Sequence, residues 1–144
     1  MNDKWKRRFI ELAKHISAWS KDPSTQVGAV IVRPDKTIAS VGFNGFPRGV
    51  DDRPEKLADR PLKYQMIVHA EINAILSSRE SLAGCSIFVY PFHPCSQCAA
   101  AIIQSGITRV YTLEGAPEWW SSNFTVAHGM FQEAGITIEK VAQP

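Results

Sequence analysis

Two short runs hold residue types that chemistry can use at usable spacings: His69-Ala70-Glu71 and Pro94-Cys95-Ser96-Gln97-Cys98. One imidazole and two thiolates form a ligand set that suits Zn²⁺. Cys95 and Cys98 are three residues apart, so on a helical turn their sulfurs share one face and can share one ion. Three protein ligands leave the fourth tetrahedral position to water, which is the pattern of a catalytic site. The expected cofactor is therefore one Zn²⁺ per subunit, with a bound water or hydroxide. Zinc lowers the pKa of such a water from about 16 to about 7. Glu71 follows the histidine by two residues, where a carboxyl that is not a ligand can carry the water's proton.

Two bland readings leave residues unexplained. A thioredoxin-like C-x-x-C pair gives His69 and Glu71 no task. A structural zinc-binding interaction module calls for a fourth protein ligand. The third cysteine, Cys85, lies in an apolar stretch that reads as core, and His93 is expected to line the pocket rather than to ligate. His128 and His15 read as helix-surface residues.

The elements that must position these groups follow from periodicity. Trp5, Phe9, Leu12, Ile16 and Trp19 recur at spacings of three and four, which predicts an amphipathic helix from residue 3 to about 20 packed through that stripe. Residues 27–32 and 37–43 predict two strands joined by a turn at Pro34-Asp35-Lys36. Residues 44–49 carry too much glycine and proline to continue a strand and predict a shaped loop. From Asp51 to Gln65 a long connection is expected, with one helical turn at residues 54–59. A helix over 70–79 is expected to bury Ile72, Ile75 and Leu76. A strand over 85–90, a helix ending near Gly106, a strand over 108–113, a helix from Ser121 or Ser122 and a strand over 136–141 complete the chain. This order predicts an α/β fold: a mixed sheet with helices on both faces, its alternating part parallel with right-handed crossovers.

At 144 residues, with 44% hydrophobic and 21% charged residues, the chain reads as one domain, residues 1–144. A net charge of +2 offers no basic footprint for nucleic acid, and Lys6-Arg7-Arg8 reads as a solvated helix face. No apolar run predicts a membrane span or a signal-peptide core, so a cytoplasmic protein is expected. Three cysteines, two of them in one C-x-x-C, argue against a disulfide framework.

H-x-E followed by P-C-x-x-C is the signature of zinc-dependent nucleobase deaminases. Further marks are Ser20-Lys21-Asp22-Pro23, Gln26-Val27-Gly28-Ala29, Gly42-Phe43-Asn44-Gly45-Phe46-Pro47 and Glu71-Ile72-Asn73-Ala74-Ile75. With these the sequence resembles the cytidine deaminase superfamily, and within it the deoxycytidylate (dCMP) deaminases. The resemblance implies a three-layer α/β/α sandwich around a five-stranded mixed sheet. It implies zinc-dependent conversion of dCMP to dUMP with release of ammonia, in a homo-oligomer built from dimers, up to a hexamer. It implies that Asn44 contacts the sugar and Val27 packs on the base, with Ala70, Phe92 and His93 also counted among the substrate contacts. The loop 42–49 is implied to help form a regulatory nucleotide site for dCTP and dTTP, through Gly45 and Arg48.

Two departures from that pattern bear on the substrate. After residue 113, where the family commonly has a tyrosine or a base near the substrate phosphate, stand Glu114 to Trp120, with two acids and no base. A carboxylate beside a phosphate costs ~1 kcal/mol or more per close pair. The run Tyr90-Pro91-Phe92-His93 is one residue longer than the family pattern and should reshape the pocket roof. Trp119 and Trp120 are expected to close the pocket and stack on a base. The alternative substrate is a non-phosphorylated or modified pyrimidine nucleoside or base.

Overall fold

The computed structural model describes residues 1–115 and 121–144. The sheet is built out from the apolar run Gly28–Val32 (β1), an interior strand every residue of which is buried. It pairs antiparallel with Ile38–Phe43 (β2) on one side and with Ser86–Tyr90 (β3) on the other. Beyond β3, Arg109–Leu113 (β4) and Thr137–Val141 (β5) continue the sheet in parallel, giving the order β2-β1-β3-β4-β5. The sheet is thus five-stranded and mixed, as expected.

Alternation along the strands divides the core in two. Val30, Val32, Phe88 and Tyr111 meet Phe9, Ile10, Ala13 and Ile16 of helix α1 (Asp3–Ser17). Phe88 lies between Phe9 and Tyr111, with ring centroids 5.3 Å and 4.4 Å away. Burying a side chain of that size contributes about 1.5–3 kcal/mol. On the other face, Ala29, Ile31, Ile87 and Val89 meet Ala70, Ala74, Ala99, Ile102, Ala127 and Phe131. Those residues come from α4 (Ala70–Ser77), α5 (Ser96–Gln104) and α6 (Ser121–Glu133). Helices on both faces make the three layers of an α/β/α sandwich.

Two glycines set how closely helices approach the sheet. A Cβ on Gly28 would lie 2.1 Å from the Ala13 carbonyl oxygen of α1, and one on Gly42 would lie 2.4 Å from the Ala74 backbone nitrogen of α4. Neither position has room for a side chain.

The structure corrects three expectations. Trp19 is 52% exposed, because α1 ends at Ser17 and the stripe does not continue past it. Leu76 is 73% exposed, because α4 presents Ala70, Glu71 and Ala74 inward and only small residues fit where Gly42 meets it. The connection before His69 carries two helices, α2 (Pro54–Ala58) and α3 (Arg60–Met66), where a single turn was expected. Asp59 caps α3 by accepting from the Leu62 N–H, which starts the second helix despite its weak apolar periodicity. Among the described residues no helix is long and apolar enough to cross a membrane.

Candidate active site and metal centre

The ends of two helices bring the chemistry-bearing residues together. His69 is the N-cap residue of α4, Cys95 is the N-cap residue of α5, and Cys98 lies one turn into α5. The His69 Nδ1 atom stands 3.3 Å from Cys98 Sγ and 3.5 Å from Cys95 Sγ. All three donor atoms lie within 4.8 Å of one another. A tetrahedral zinc bound at ordinary lengths needs N···S separations of about 3.6 Å and S···S of about 3.8 Å. The residues therefore fit Zn²⁺, and among the described residues they are the one such group of His, Cys, Asp or Glu side chains.

Electrostatics agree with that donor set. Cys95 is lowered to about 4, first by the hydrogen bond from the Cys98 thiol and, against burial, by the one from His69. Cys98 is pushed up by giving its proton to Cys95, and by burial. The hydrogen bond to Cys95 also raises His69. The pair of sulfurs thus holds a proton where a divalent cation would deprotonate both. Glu71, second residue of α4, is 4% exposed, and burial raises its carboxyl above the ordinary value while His69 opposes the shift.

A cavity of about 590 Å³ opens over these groups. Of the residues singled out in the sequence, Val27, Asn44, Ala70, Phe92 and His93 line it together with His69, Glu71 and Cys95. Asn44 is buried and clamps the neighbouring loop: its Oδ1 accepts from the Val27 N–H at 2.9 Å, and its Nδ2 donates to the Thr25 carbonyl at 2.8 Å. One amide N–H of Asn44 is left over for a ligand. His93 donates through Nδ1 to the Pro94 carbonyl at 2.7 Å, so its neutral ring presents Nε2 as an acceptor. That Nε2 is buried and has no hydrogen-bond partner among the described residues. Burial lowers the His93 pKa, which keeps the ring neutral.

Other residues fall elsewhere. Gly45 forms an isolated bridge with Val68, and Arg48 is exposed; neither is among the residues that line the cavity. Trp119 and Trp120 lie outside the described residues. Cys85 is buried, as core, and His128 and His15 are exposed.

Sequence reasoning missed part of the cavity wall. Asp22, Thr25, Lys63, Tyr64, Asn123 and Phe124 also line it. Lys63 of α3 is 3% exposed and donates to Asp22 Oδ1 at 3.2 Å and to Ser24 Oγ at 3.0 Å. Asn123 of α6 accepts from the Ser96 N–H at 2.9 Å and so caps α5 from another helix, which Cys95 does not do through its side chain. The Asp-Pro-Ser turn at residues 22–24 was a signal for the Asp22 turn. A lysine in a charged connection gives none for burial.

A model of the cytidine and deoxycytidylate deaminase zinc-binding region matches residues 3–114. The chain is 46% identical over 141 residues to an uncharacterised deaminase in the luxG 3′ region of Aliivibrio fischeri, covering 96% of this chain and 94% of that one. It is 37% identical over 142 residues to the human deoxycytidylate deaminase, covering 94% of this chain and 79% of that one. Among solved structures, it is similar to the cyanophage S-TIM5 dCMP deaminase in complex with dCMP and dUMP. That similarity has a TM-score of 0.79 and 27% identity, and it spans 98% of this chain and 99% of that one.

Proposed function

Because the chain belongs to the family of cytidine and deoxycytidylate deaminases, we propose that it is a zinc-dependent enzyme that converts dCMP and water to dUMP and ammonia. The observation that carries this reading is a buried Glu71 beside the His69, Cys95 and Cys98 donor group, with Glu71, His69 and Cys95 all lining one cavity. The similarity to a dCMP deaminase seen with dCMP and dUMP supports the choice of substrate.

His69, Cys95 and Cys98 would hold the metal, which when bound would lower the pKa of water toward 7. Glu71 takes the proton of the attacking water and passes it to the ring nitrogen beside the amine-bearing carbon. It then takes the remaining proton from the hydroxyl added to that carbon and delivers it to the amine, so that the C–N bond breaks, the carbonyl forms and ammonia leaves. Burial raises the carboxyl above its ordinary value and so makes it easier to protonate, which suits a group that must both take and give protons. Asn44, fixed by its bonds to residues 25 and 27, offers its remaining N–H to the sugar, and Val27 and Ala70 flank the base. Phe92 and His93 form the adjoining wall.

The reading extends to one deaminase domain over residues 1–144, acting as a homo-oligomer in the cytoplasm. It includes regulation by dCTP and dTTP at the loop that carries Gly45 and Arg48. The test is ammonia release by zinc-loaded protein with dCMP, CMP, dCTP, deoxycytidine and cytosine, with dCMP expected to turn over fastest. Absence of turnover on all five would sink the proposal. A dCMP rate unmoved by dCTP or dTTP would sink its regulatory part.

A further inference from the structure

A nucleotide brings a phosphate dianion, and the chain has few places from which to answer that charge. Between Arg109 and Lys140 the sequence has no lysine or arginine. The segment after β4 and helix α6 therefore hold no permanent cation, and Arg109, the exposed first residue of β4, is not among the residues that line the cavity. Glu114, directly after β4, is exposed and is not among the lining residues. Among the described residues that line the cavity, Lys63 is the only lysine or arginine.

Its setting is a built one. The Lys63 ammonium donates to Asp22 Oδ1 and to Ser24 Oγ, and an ammonium has three N–H groups. Asp22 is committed to the turn around it, since its Oδ1 also accepts from the backbone N–H groups of Ser24 at 2.9 Å and Thr25 at 3.1 Å. Lys63 is thus fixed on the wall before any ligand arrives, with one donor in reserve. Desolvating such a pair is costly, and apolar side chains would dock α3 on the loop as well. A cation on the wall of this cavity gains its purpose from an anionic ligand.

We propose that Lys63, held in place by Asp22 and Ser24, receives the phosphate of the substrate and so makes the enzyme prefer nucleotides to nucleosides. This rests on the dCMP deaminase reading above, and it assigns the phosphate to α3 rather than to the segment after β4.

The test compares kcat/KM for dCMP and for deoxycytidine in zinc-loaded wild type, Lys63→Met, Lys63→Arg and the double variant Asp22→Asn/Lys63→Met. The double variant removes both charges, so no unpaired carboxylate is left buried. Binding of dUMP and of deoxyuridine to the same proteins is measured by calorimetry. Loss of a charge-assisted bond predicts that the preference for dCMP falls by about ten- to a hundredfold in both Met variants. The fall should be carried by KM, dUMP should lose the same factor relative to deoxyuridine, and Lys63→Arg should keep most of the preference. An equal fall for both substrates, or an unchanged preference, would overturn the proposal. Wild type that binds dUMP more tightly than deoxyuridine yet turns over neither substrate would instead refute the deaminase reading and leave the phosphate site standing.

Discussion

Replacing Glu71 by Gln changes one oxygen to NH₂ in a side chain that is 4% exposed, so the cavity keeps its shape while the residue can no longer exchange protons. Positioned general acid–base catalysis contributes about 10²–10⁴-fold per transfer, and Glu71 is assigned three transfers in sequence. They need not all limit the rate, so the expected loss is that of at least one: kcat lower by about 10³-fold or more, roughly 4 kcal/mol of barrier. Zinc content should stay at that of wild type, because His69, Cys95 and Cys98 are untouched. Stability gives an independent sign. Burial raises the Glu71 pKa above 4.5, so in the metal-free fold its contribution to stability declines as pH rises from 4.5 through the folded value. A neutral amide escapes that penalty, and metal-free Glu71→Gln should unfold no more readily than wild type at pH 7. Single-turnover kinetics, metal analysis and urea unfolding read the three quantities. A kcat within tenfold of wild type, with zinc fully retained, would refute the assignment of Glu71 as proton carrier.

Three further outcomes are expected. Cys98→Ala leaves two zinc ligands, and a competition titration with a chelating dye should show affinity lower by more than the roughly 10–100-fold typical of outer-shell changes; wild-type affinity would exclude Cys98 as a ligand. In Asp22, burial pushes the carboxyl up, but bonds from Ser24, Thr25 and Lys63 outweigh it and hold the pKa below 3.8. Its stabilisation is therefore complete above 3.8 and lost as pH falls through the lower folded value. Asp22→Asn should flatten stability below about pH 4 and, by stranding Lys63, cost about 3–5 kcal/mol at pH 7 in denaturant unfolding; parallel pH curves would contradict this. Asn44→Ala frees the Val27 N–H and the Thr25 carbonyl, with a cost of about 1–3 kcal/mol and a raised KM. A variant of wild-type stability and KM would show that the clamp is idle.

The parts of the molecule legible in sequence are those set by local rules. Strands β1 and β3 were readable as short apolar runs, and both are buried along nearly their whole length. The metal ligands were readable because a zinc site needs particular atoms at fixed spacing, and no tertiary accident alters that requirement. What escaped depends on which neighbour an element meets. The inward face of α4 was misjudged at Leu76 because the deciding residue, Gly42, lies on another element. Helix α3 has few apolar positions, and its buried residue is a lysine whose partner is 41 residues away in sequence. The cap on α5 comes from Asn123 on α6, a pairing that no local motif encodes.

The close approach of Gly42 to α4 also bears on how this sequence can drift. The helix that begins with His69 rests directly on the sheet backbone, so its height above β2 fixes the height of the histidine relative to Cys95 and Cys98. A methyl group at position 42 would press on the Ala70 carbonyl and the Ala74 N–H and force α4 away from β2, and a metal site is sensitive to small displacements of its ligands. Substitutions are therefore tolerated unevenly around this helix. Its outer side, at Leu76, is free to vary, whereas at position 42 a change that the fold survives is first felt as weakened hold on zinc.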